Sequence, residues 1–169
     1  MTKLNMYCRL GLLIALLAGT ASVTWADEKL GKTIFIPKGM AYQYDEYHYS
    51  PAVRVGDTVH ISGIPAGGDG SEEDQLRRMF ERIKTVLEHS GAGMRDVVKI
   101  TSFHNVDTDE EFREAFSTFA KIHAEYFPDA YPAWTAVGTT ALLARDAIVE
   151  TEVIAVVGAG ENFSIKRQE

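Results

Sequence analysis

The stretch IVETEVIAVV, residues 148–157, has the side-chain alternation of a β-strand. Val149, Thr151 and Val153 fall on one face of that strand, whereas Glu150 and Glu152 stand side by side on the other face. A sheet face that helices cover does not normally carry two carboxylates. The pattern therefore predicts a sheet with one helix-covered face and a second face that carries both glutamates.

Two helices and five further strands are predicted before this strand. Ser71 opens the first helix, with Asp74 completing an imperfect capping box, and Thr108 and Glu111 form a capping box for the second helix. The second helix is expected to bury Phe112, Phe116, Phe119, Ile122 and Tyr126. The strand patterns cover residues 33–37, 52–55, 58–64, 97–106 and 133–143, and a loop is expected at 65–71.

The resulting order, β-ββ-α-β-α-ββ, indicates the fold class. Two helices and a mixed sheet predict an α+β sandwich in which both helices pack on one sheet face. No further helix pattern is left for the opposite face, so another copy of the same chain is expected to cover it. A length of 169 residues is typical of one domain once a targeting segment is removed.

The N-terminus has the pattern of a signal peptide. Lys3 and Arg9 form a positive region, residues 10–21 form an apolar run, and Thr24 and Ala26 supply small residues for cleavage after Ala26. The alternative is an uncleaved anchor, but the run is shorter than the roughly 20 apolar residues that a spanning helix needs. We expect a signal peptide at 1–26, a single domain at 27–169, and export, most simply to the periplasm, without stable membrane association after cleavage.

Composition excludes several classes of function. The formal charge of the chain is −7, and removal of two basic residues by cleavage leaves 15 Lys and Arg against 24 Asp and Glu, a charge of −9. An acidic domain without a basic stripe is not expected to bind nucleic acid. The single cysteine, Cys8, lies within the predicted signal peptide, so the exported domain is expected to have neither a disulfide nor a thiol nucleophile.

No metal or cofactor is expected, because the five histidines form none of the usual ligand spacings and the glycines of AGGDGS lack the lysine of a phosphate-binding loop. Ser62 has no nucleophile-elbow context, and Gly63 beside it is interpreted as leaving room for a ligand. Glu150 and Glu152 allow two interpretations. Either they pair with lysines or backbone donors of a neighbouring subunit, or at least one of them holds a water or a substrate amine.

Three runs of the sequence together resemble the reactive intermediate deaminase family, also called RidA or YjgF-like. These runs are YSPAVRVGDTVHISGIPA, GMRDVVKITSFHNVDTDEEF and YFPDAYPAWTAVGTTALLARDAIVETEVIAVV. The resemblance implies a homotrimer of chorismate-mutase-like α+β subunits around a central barrel, with ligand clefts between subunits. Catalytic members of the family hydrolyse enamines and imines to keto acids and ammonia.

The resemblance also implies site residues. In the family, an arginine in a P-A-R-S motif binds the substrate carboxylate, and a glutamate on the last strand positions the attacking water. Tyr49, Ser62, Gly63 and Glu150 match pocket positions of the family, Glu150 being the water-positioning glutamate. The departures lie at the arginine, the serine and a helix asparagine, whose positions are taken by Trp134, Thr135 and Phe116.

The loss of the arginine bears directly on function. Arginine offers a carboxylate a bidentate cationic fork, whereas tryptophan offers one indole N–H. The change should cost about 3 kcal/mol or more of carboxylate binding. The sequence therefore favours a trimer whose Trp134-lined cleft binds a small neutral, cationic or aromatic molecule without ordinary deamination. The alternatives are a hydrolase that uses Glu150 to activate water for an imine or enamine without a carboxylate, and a structural or chaperone-like trimer. Turnover of 2-aminoacrylate would instead indicate that another cation, such as Arg145, binds the carboxylate.

Overall fold

The structure is a computed structural model, and it describes residues 31–168. The predicted signal peptide at 1–26 lies outside the described residues. The described elements are β1 (Lys32–Phe35), α1 (Ala41–Asp45), β2 (Ala52–Val55), β3 (Thr58–Gly67), α2 (Glu72–His89), a 3₁₀ turn (Met94–Asp96), β4 (Val97–Asn105), α3 (Asp109–Tyr126), β5 (Ala133–Thr139) and β6 (Ala147–Val156). None of the helices in this range is long and apolar enough to span a bilayer.

The six strands form one sheet in the order β1-β2-β3-β6-β4-β5. Strands β4 and β5 are parallel, and all other neighbours are antiparallel. The predicted α+β fold with a mixed sheet is therefore confirmed. The last strand of the chain lies in the interior of the sheet, between β3 and β4.

The two faces of β6 differ as its sequence predicts. Val149, Thr151 and Val153 are buried, and they belong to the layer between the sheet and the two long helices. Glu150 is half-buried and Glu152 is exposed on the opposite, open face. The alternation along β6 therefore identifies the open face correctly.

Helix α2 begins as the sequence predicts. Asp74 N–H donates to Ser71 Oγ at 3.2 Å, and Ser71 N–H donates to Asp74 Oδ2 at 3.3 Å, so the capping box is complete rather than imperfect. Gly91 follows the helix at a φ of +82°, a conformation that glycine adopts without steric cost. The apolar face of α2 is buried against the sheet through Leu76, Met79, Phe80, Ile83, Val86 and Leu87.

Helix α3 differs in part from its predicted packing. The capping box of Thr108 and Glu111 forms, but only Phe119 and Ile122 of the predicted core positions are fully buried. Phe112, Phe116 and Tyr126 are partly exposed, and the unpredicted His123 is buried instead. The reason is position, because α3 lies over β4 and β5 at one margin of the sheet, where no described residue covers its outer flank.

Two strand boundaries and one short helix also differ from the sequence prediction. Strand β3 continues to Gly67, because β6 pairs with residues that were predicted to be loop. Strand β5 ends at Thr139, since β4, its neighbour in the described sheet, ends its pairing there. Helix α1 was not predicted. It has five residues, no side-chain cap and no buried residue, so its sequence has no apolar periodicity to detect.

Candidate functional site

A cleft of about 780 Å³ lies beside the second half of β3. Strand β2 pairs with β3 as far as Ile61, so among residues 31–168 the later residues of β3 pair with a strand, β6, on one side alone. The segment that contains α1 forms one wall of the cleft, and α2 forms another. Tyr49, Ser62, Gly63 and Glu150 all line this cleft, so the structure brings together the four residues that match the family pocket.

The side chain of Glu150 lies directly over Gly63. A Cβ atom added to Gly63 would overlap Glu150 Oε1 and would lie 2.7 Å from Glu150 Cγ. Gly63 sits where β3 shifts its register against β6, and Glu150 is paired with Pro65 across the two strands. The space beside Gly63, which was expected to admit a ligand, is therefore occupied by the side chain of Glu150, and the glycine makes room for that side chain instead.

The Glu150 carboxyl has no cationic partner among residues 31–168. Burial, with a smaller contribution from the Glu152 carboxylate, raises its pKa above the ordinary value for glutamate. A carboxylate in this position gains from any ligand that brings a positive charge or a hydrogen-bond donor. It is also a stronger base than an exposed glutamate.

Tyr49 and Ser62 frame this carboxyl. Burial, and to a lesser degree the charge of Glu150, raises the pKa of the Tyr49 hydroxyl, so Tyr49 is a neutral hydrogen-bond donor at the cleft. Ser62 Oγ donates to the carbonyl of Ser50 at 2.8 Å, and Ser62 N–H donates to the carbonyl of Pro51 at 3.1 Å. Because its hydroxyl proton is held by the backbone, Ser62 fixes the chain that carries Tyr49 and has no base to activate it as a nucleophile.

Trp134 lies on the other face of the sheet. It pairs with Ile100 of β4, and its indole N–H donates to Ser102 Oγ at 2.9 Å on the helix-covered side. Its ring stacks on Phe116 and on His123, with a centroid distance of 4.8 Å to each. Within one chain, Trp134 and Phe116 are therefore not brought to Glu150, and a cleft that contains all three residues needs a second copy of the chain.

Thr135 points to the open face but is not close to Glu150. Across the sheet it stands in a row with Thr101 and Glu152, and its hydroxyl accepts a hydrogen bond from Lys99 Nζ at 2.5 Å. Glu150 stands in the neighbouring row, with Phe103 and Val137. The open face thus carries a mixture of apolar and polar side chains, and Val137 on it is 39% exposed.

Sequence reasoning missed two cations of the cleft. Lys38, before α1, and Arg82, on α2, line the same cleft as Glu150. Neither residue had a motif that could reveal it, because Arg82 lies on the polar side of a helix and Lys38 lies in a short loop. The LLARD loop does reach the cleft through Leu143 and Ala144, but Arg145 is not among the lining residues.

Tyr42 and Tyr47 add an aromatic wall to the cleft. Their rings meet edge to face with centroids 5.0 Å apart, and both side chains are more than half exposed. Exposed tyrosines of this kind bind ligands through their faces and donate hydrogen bonds at their edges. In residues 31–168, no group of three or more His, Cys, Asp or Glu side chains is placed to hold a metal ion.

Comparisons with known proteins identify relatives that belong to one family. The family described as endoribonuclease L-PSP matches residues 43–157. The RutC family protein YjgH of Escherichia coli is 33% identical over 129 residues, 73% of this chain and 94% of that protein. The 2-iminobutanoate/2-iminopropanoate deaminase of Dermatophagoides farinae is 35% identical over 116 residues, 64% of this chain and 85% of that protein. The structure of Rv2704 of Mycobacterium tuberculosis, from the YjgF/YER057c/UK114 family, has a TM-score of 0.64 at 28% identity and covers 75% of this chain and 100% of its own.

Proposed function

The chain belongs to the family described as endoribonuclease L-PSP, which includes the RidA and YjgF proteins. We propose that it binds a small molecule in the Glu150 cleft and lacks ordinary 2-imino acid deaminase activity. The observation that carries the proposal is the Glu150 carboxyl. It is half-buried, seated over Gly63, directed at a cleft and without a cationic partner in the described chain. A carboxylate in that state is stabilised by a ligand that brings a hydrogen-bond donor or a positive charge.

A homotrimer completes the cleft in this proposal. Two observations support an assembly of identical chains. The open sheet face carries apolar side chains such as Val137 and Ile154. In addition, Trp134 and Glu150 lie on opposite faces of one sheet, so the single pocket that the family resemblance expects for both needs two chains. In a closed ring, the margin of one subunit that holds Trp134 can meet the cleft of the next. The number three comes from the family resemblance.

Loss of ordinary deamination follows from the partners of Trp134. The residue stands at the position where the family resemblance expects the carboxylate-binding arginine. Its single N–H is already donated to Ser102, and both Phe116 and His123 stack on its ring. No donor of Trp134 is left for a carboxylate, so a 2-imino acid loses the contact that orients it.

Hydrolysis of an imine remains the second candidate function. It is favoured by the raised pKa of Glu150, which suits a general base that takes a proton from water. It is also favoured by the identity to a relative named as a 2-iminobutanoate/2-iminopropanoate deaminase. In this case the substrate of the present chain would be an imine without a carboxylate on the reacting carbon.

Export and the absence of nucleic-acid binding complete the proposal. The positive region, the apolar run and Ala26 support cleavage of the first 26 residues. Although the family description names an endoribonuclease, a formal charge of −7 opposes binding to a polyanion. Sequencing of the N-terminus of protein recovered from the cell envelope should begin at Asp27, and an intact Met1 in the cytoplasm would contradict export.

One set of measurements tests the central proposal. Ammonia release is measured with 2-aminoacrylate and with an imine that lacks a carboxylate, and mass is measured by light scattering on the same preparation. We expect about three subunit masses and no release from 2-aminoacrylate above background. Release from the uncharged imine alone, lost in Glu150→Gln, would establish the second candidate. Robust turnover of 2-aminoacrylate, or a stable monomer, would overturn the proposal.

A further inference from the structure

Opposite charges without partners line different walls of the Glu150 cleft. Glu150 projects from β6, whereas Arg82 projects from α2 and Lys38 lies in the segment before α1. Within residues 31–168, none of the three side chains forms an ion pair or a side-chain hydrogen bond. The cleft therefore carries one carboxylate and two cations that do not neutralise one another.

Arg82 is exceptional among the arginines of its helix. Arg77 donates to Glu73 and Glu125, and Arg78 donates to the carbonyls of Gly67 and Asp69. These two arginines hold the helix to its surroundings. Arg82 is the α2 arginine with no such contact in the described chain, and it is also the one that lines the cleft. Its guanidinium is available for a ligand anion, which it can bind with two parallel hydrogen bonds.

The surface between these charges is mostly apolar. Met40, Ile64 and Leu143 line the cleft together with the aromatic wall of Tyr42 and Tyr47. A cavity of about 780 Å³ is larger than a three- or four-carbon amino acid needs and falls in the size range of sites for larger ligands. The apolar lining suits a hydrocarbon or aromatic spacer between two charged ends.

We propose that the ligand of this cleft is an extended zwitterion, with its amine or imine nitrogen at Glu150 and its carboxylate at Arg82 and Lys38. This inference rests on the proposed function, since it names the chemical class that the same site binds. It differs from a 2-imino acid in geometry, because both charged groups of a 2-imino acid are attached to one carbon. In the extended ligand a spacer separates them. The anion is held by Arg82 and Lys38, without any contribution from Trp134.

Two isomers provide a direct test of charge separation. 6-Aminohexanoate and norleucine have the same atoms and the same two charges, but only the first places them at opposite ends of the carbon chain. Binding of both to the full chain is measured by calorimetry, together with hexylamine and hexanoate, which carry one charge each. We expect 6-aminohexanoate to bind at least tenfold more tightly than each of the other three. Equal or tighter binding of norleucine would overturn the inference.

Variants assign each end of the ligand. Loss of one charge-assisted contact lowers affinity by about tenfold to a hundredfold, so Arg82→Ala should weaken 6-aminohexanoate by that factor and leave hexylamine within twofold. Glu150→Gln should weaken hexylamine and leave hexanoate unchanged. Lys84→Ala is the matched control, because Lys84 is an exposed cation on the same helix that does not line the cleft. Equal effects of the Arg82 and Lys84 variants would overturn the inference.

Failure of this inference can be told from failure of the proposed function. If amines such as hexylamine bind and Glu150→Gln abolishes that binding, the Glu150 cleft is a small-molecule site whatever Arg82 does. If none of the four compounds binds, the zwitterion is excluded, and the deaminase assay with the uncharged imine then decides whether the cleft has another substrate.

Discussion

The Glu150 carboxyl arm of β6 occupies the space where any other residue at position 63 of β3 would place its Cβ. The two residues are 87 positions apart in the sequence, and the pairing of β3 with β6 brings them into contact. The orientation of the one acidic side chain that the cleft uses therefore depends on the absence of a side chain on the neighbouring strand.

Gly63→Ala should remove ligand binding while the protein remains folded. The added methyl would overlap Glu150 Oε1, so the carboxyl must rotate away from its present position. We expect a loss of stability of about 1–3 kcal/mol, as for other overpacked sites, and a loss of amine binding similar to that of Glu150→Gln. Chemical denaturation and calorimetry measure the two effects.

Gly138→Ala is the matched control for this substitution. Gly138 is also a strand glycine, and its added Cβ would meet Val106 and Phe112 at ordinary distances of 3.4 Å and 3.5 Å. It should leave amine binding unchanged. If Gly63→Ala binds amines as tightly as the unmodified protein does, the glycine does not position Glu150.

Glu150→Gln should stabilise the protein at neutral pH. Burial raises the pKa of Glu150 in the folded state, so the folded protein binds more protons than the unfolded chain between the ordinary glutamate value and the raised one. Stability attributable to this group therefore falls as pH rises through that window. The Tm difference between Glu150→Gln and the unmodified protein should be largest at pH 7 and should shrink towards pH 4.

The control for this pH dependence is Glu88→Gln, which changes an exposed glutamate on α2. Its effect on Tm should be small at every pH. A Glu150→Gln variant that is less stable than the unmodified protein at pH 7 would contradict the raised pKa, because it would mean that the folded state stabilises the ionised carboxylate.

The protein should lose stability in mild acid through two buried histidines. His104 and His123 are almost completely buried, and burial lowers the pKa of each to about 4. The unfolded chain protonates them near the ordinary value of 6.5, so their contribution is complete above that pH and is lost as pH falls towards 4. The loss amounts to at most about 3 kcal/mol per histidine.

His123→Phe measures one half of this effect. Phenylalanine keeps the stacking on Trp134 and Phe127, and it also removes His123 Nε2, a buried atom without a hydrogen-bond partner in the described chain. The slope of stability between pH 6.5 and pH 4 should be shallower in the variant. An unchanged slope would show that His123 is protonated equally in the folded and unfolded states.

Trp134→Arg should give a small gain of 2-imino acid deamination at a cost in stability. The substitution restores a cation at the position where the resemblance expects one, while Tyr49, Ser62, Gly63 and Glu150 remain. It also removes the indole hydrogen bond and two stacked contacts, which should cost about 3–5 kcal/mol by comparison with other large aromatic truncations. Ammonia release from 2-aminoacrylate measures the gain.

Trp134→Phe is the companion variant, because it keeps an aromatic ring against Phe116 and supplies no cation. It should release no more ammonia than the unmodified protein. High activity of the unmodified protein would mean that another cation already binds the carboxylate, and Arg82→Ala and Arg145→Ala would then identify which one.

Local sequence patterns predicted the two long helices and the strands but not the long-range pairing of the strands. The alternation in β6 identified its two faces, and Ser71 and Thr108 located both helix starts, because these signals lie within a few residues of each other. The position of the Glu150 side chain over Gly63 depends on the pairing register between β3 and β6. This register shifts after Ile61, and no local sequence pattern encodes the shift.

Only those residues of the candidate site that belong to recognisable sequence patterns could be predicted. Glu150 attracted attention as a carboxylate on an apolar strand, and the family resemblance added Tyr49 and the Ser62–Gly63 pair. Arg82 could not be recognised, because one more cation on the polar side of a helix is unremarkable until its neighbours are known. Likewise, the parallel pairing of β4 with β5 must be known before Trp134 and Glu150 can be assigned to opposite faces of the sheet.

The interior position of β6 has a consequence for the order in which the chain can fold during synthesis. In the described sheet, β3 and β4 are not paired with each other, and both pair with β6, which follows them in the sequence. Until residue 156 has left the ribosome, the nascent chain can form a β1-β2-β3 meander and a separate β4-β5 pair but not a continuous sheet. A chain that stops before residue 147 therefore lacks a continuous sheet, and its two sheet fragments are joined only through the helices, by contacts such as Phe80 with Phe119 between α2 and α3.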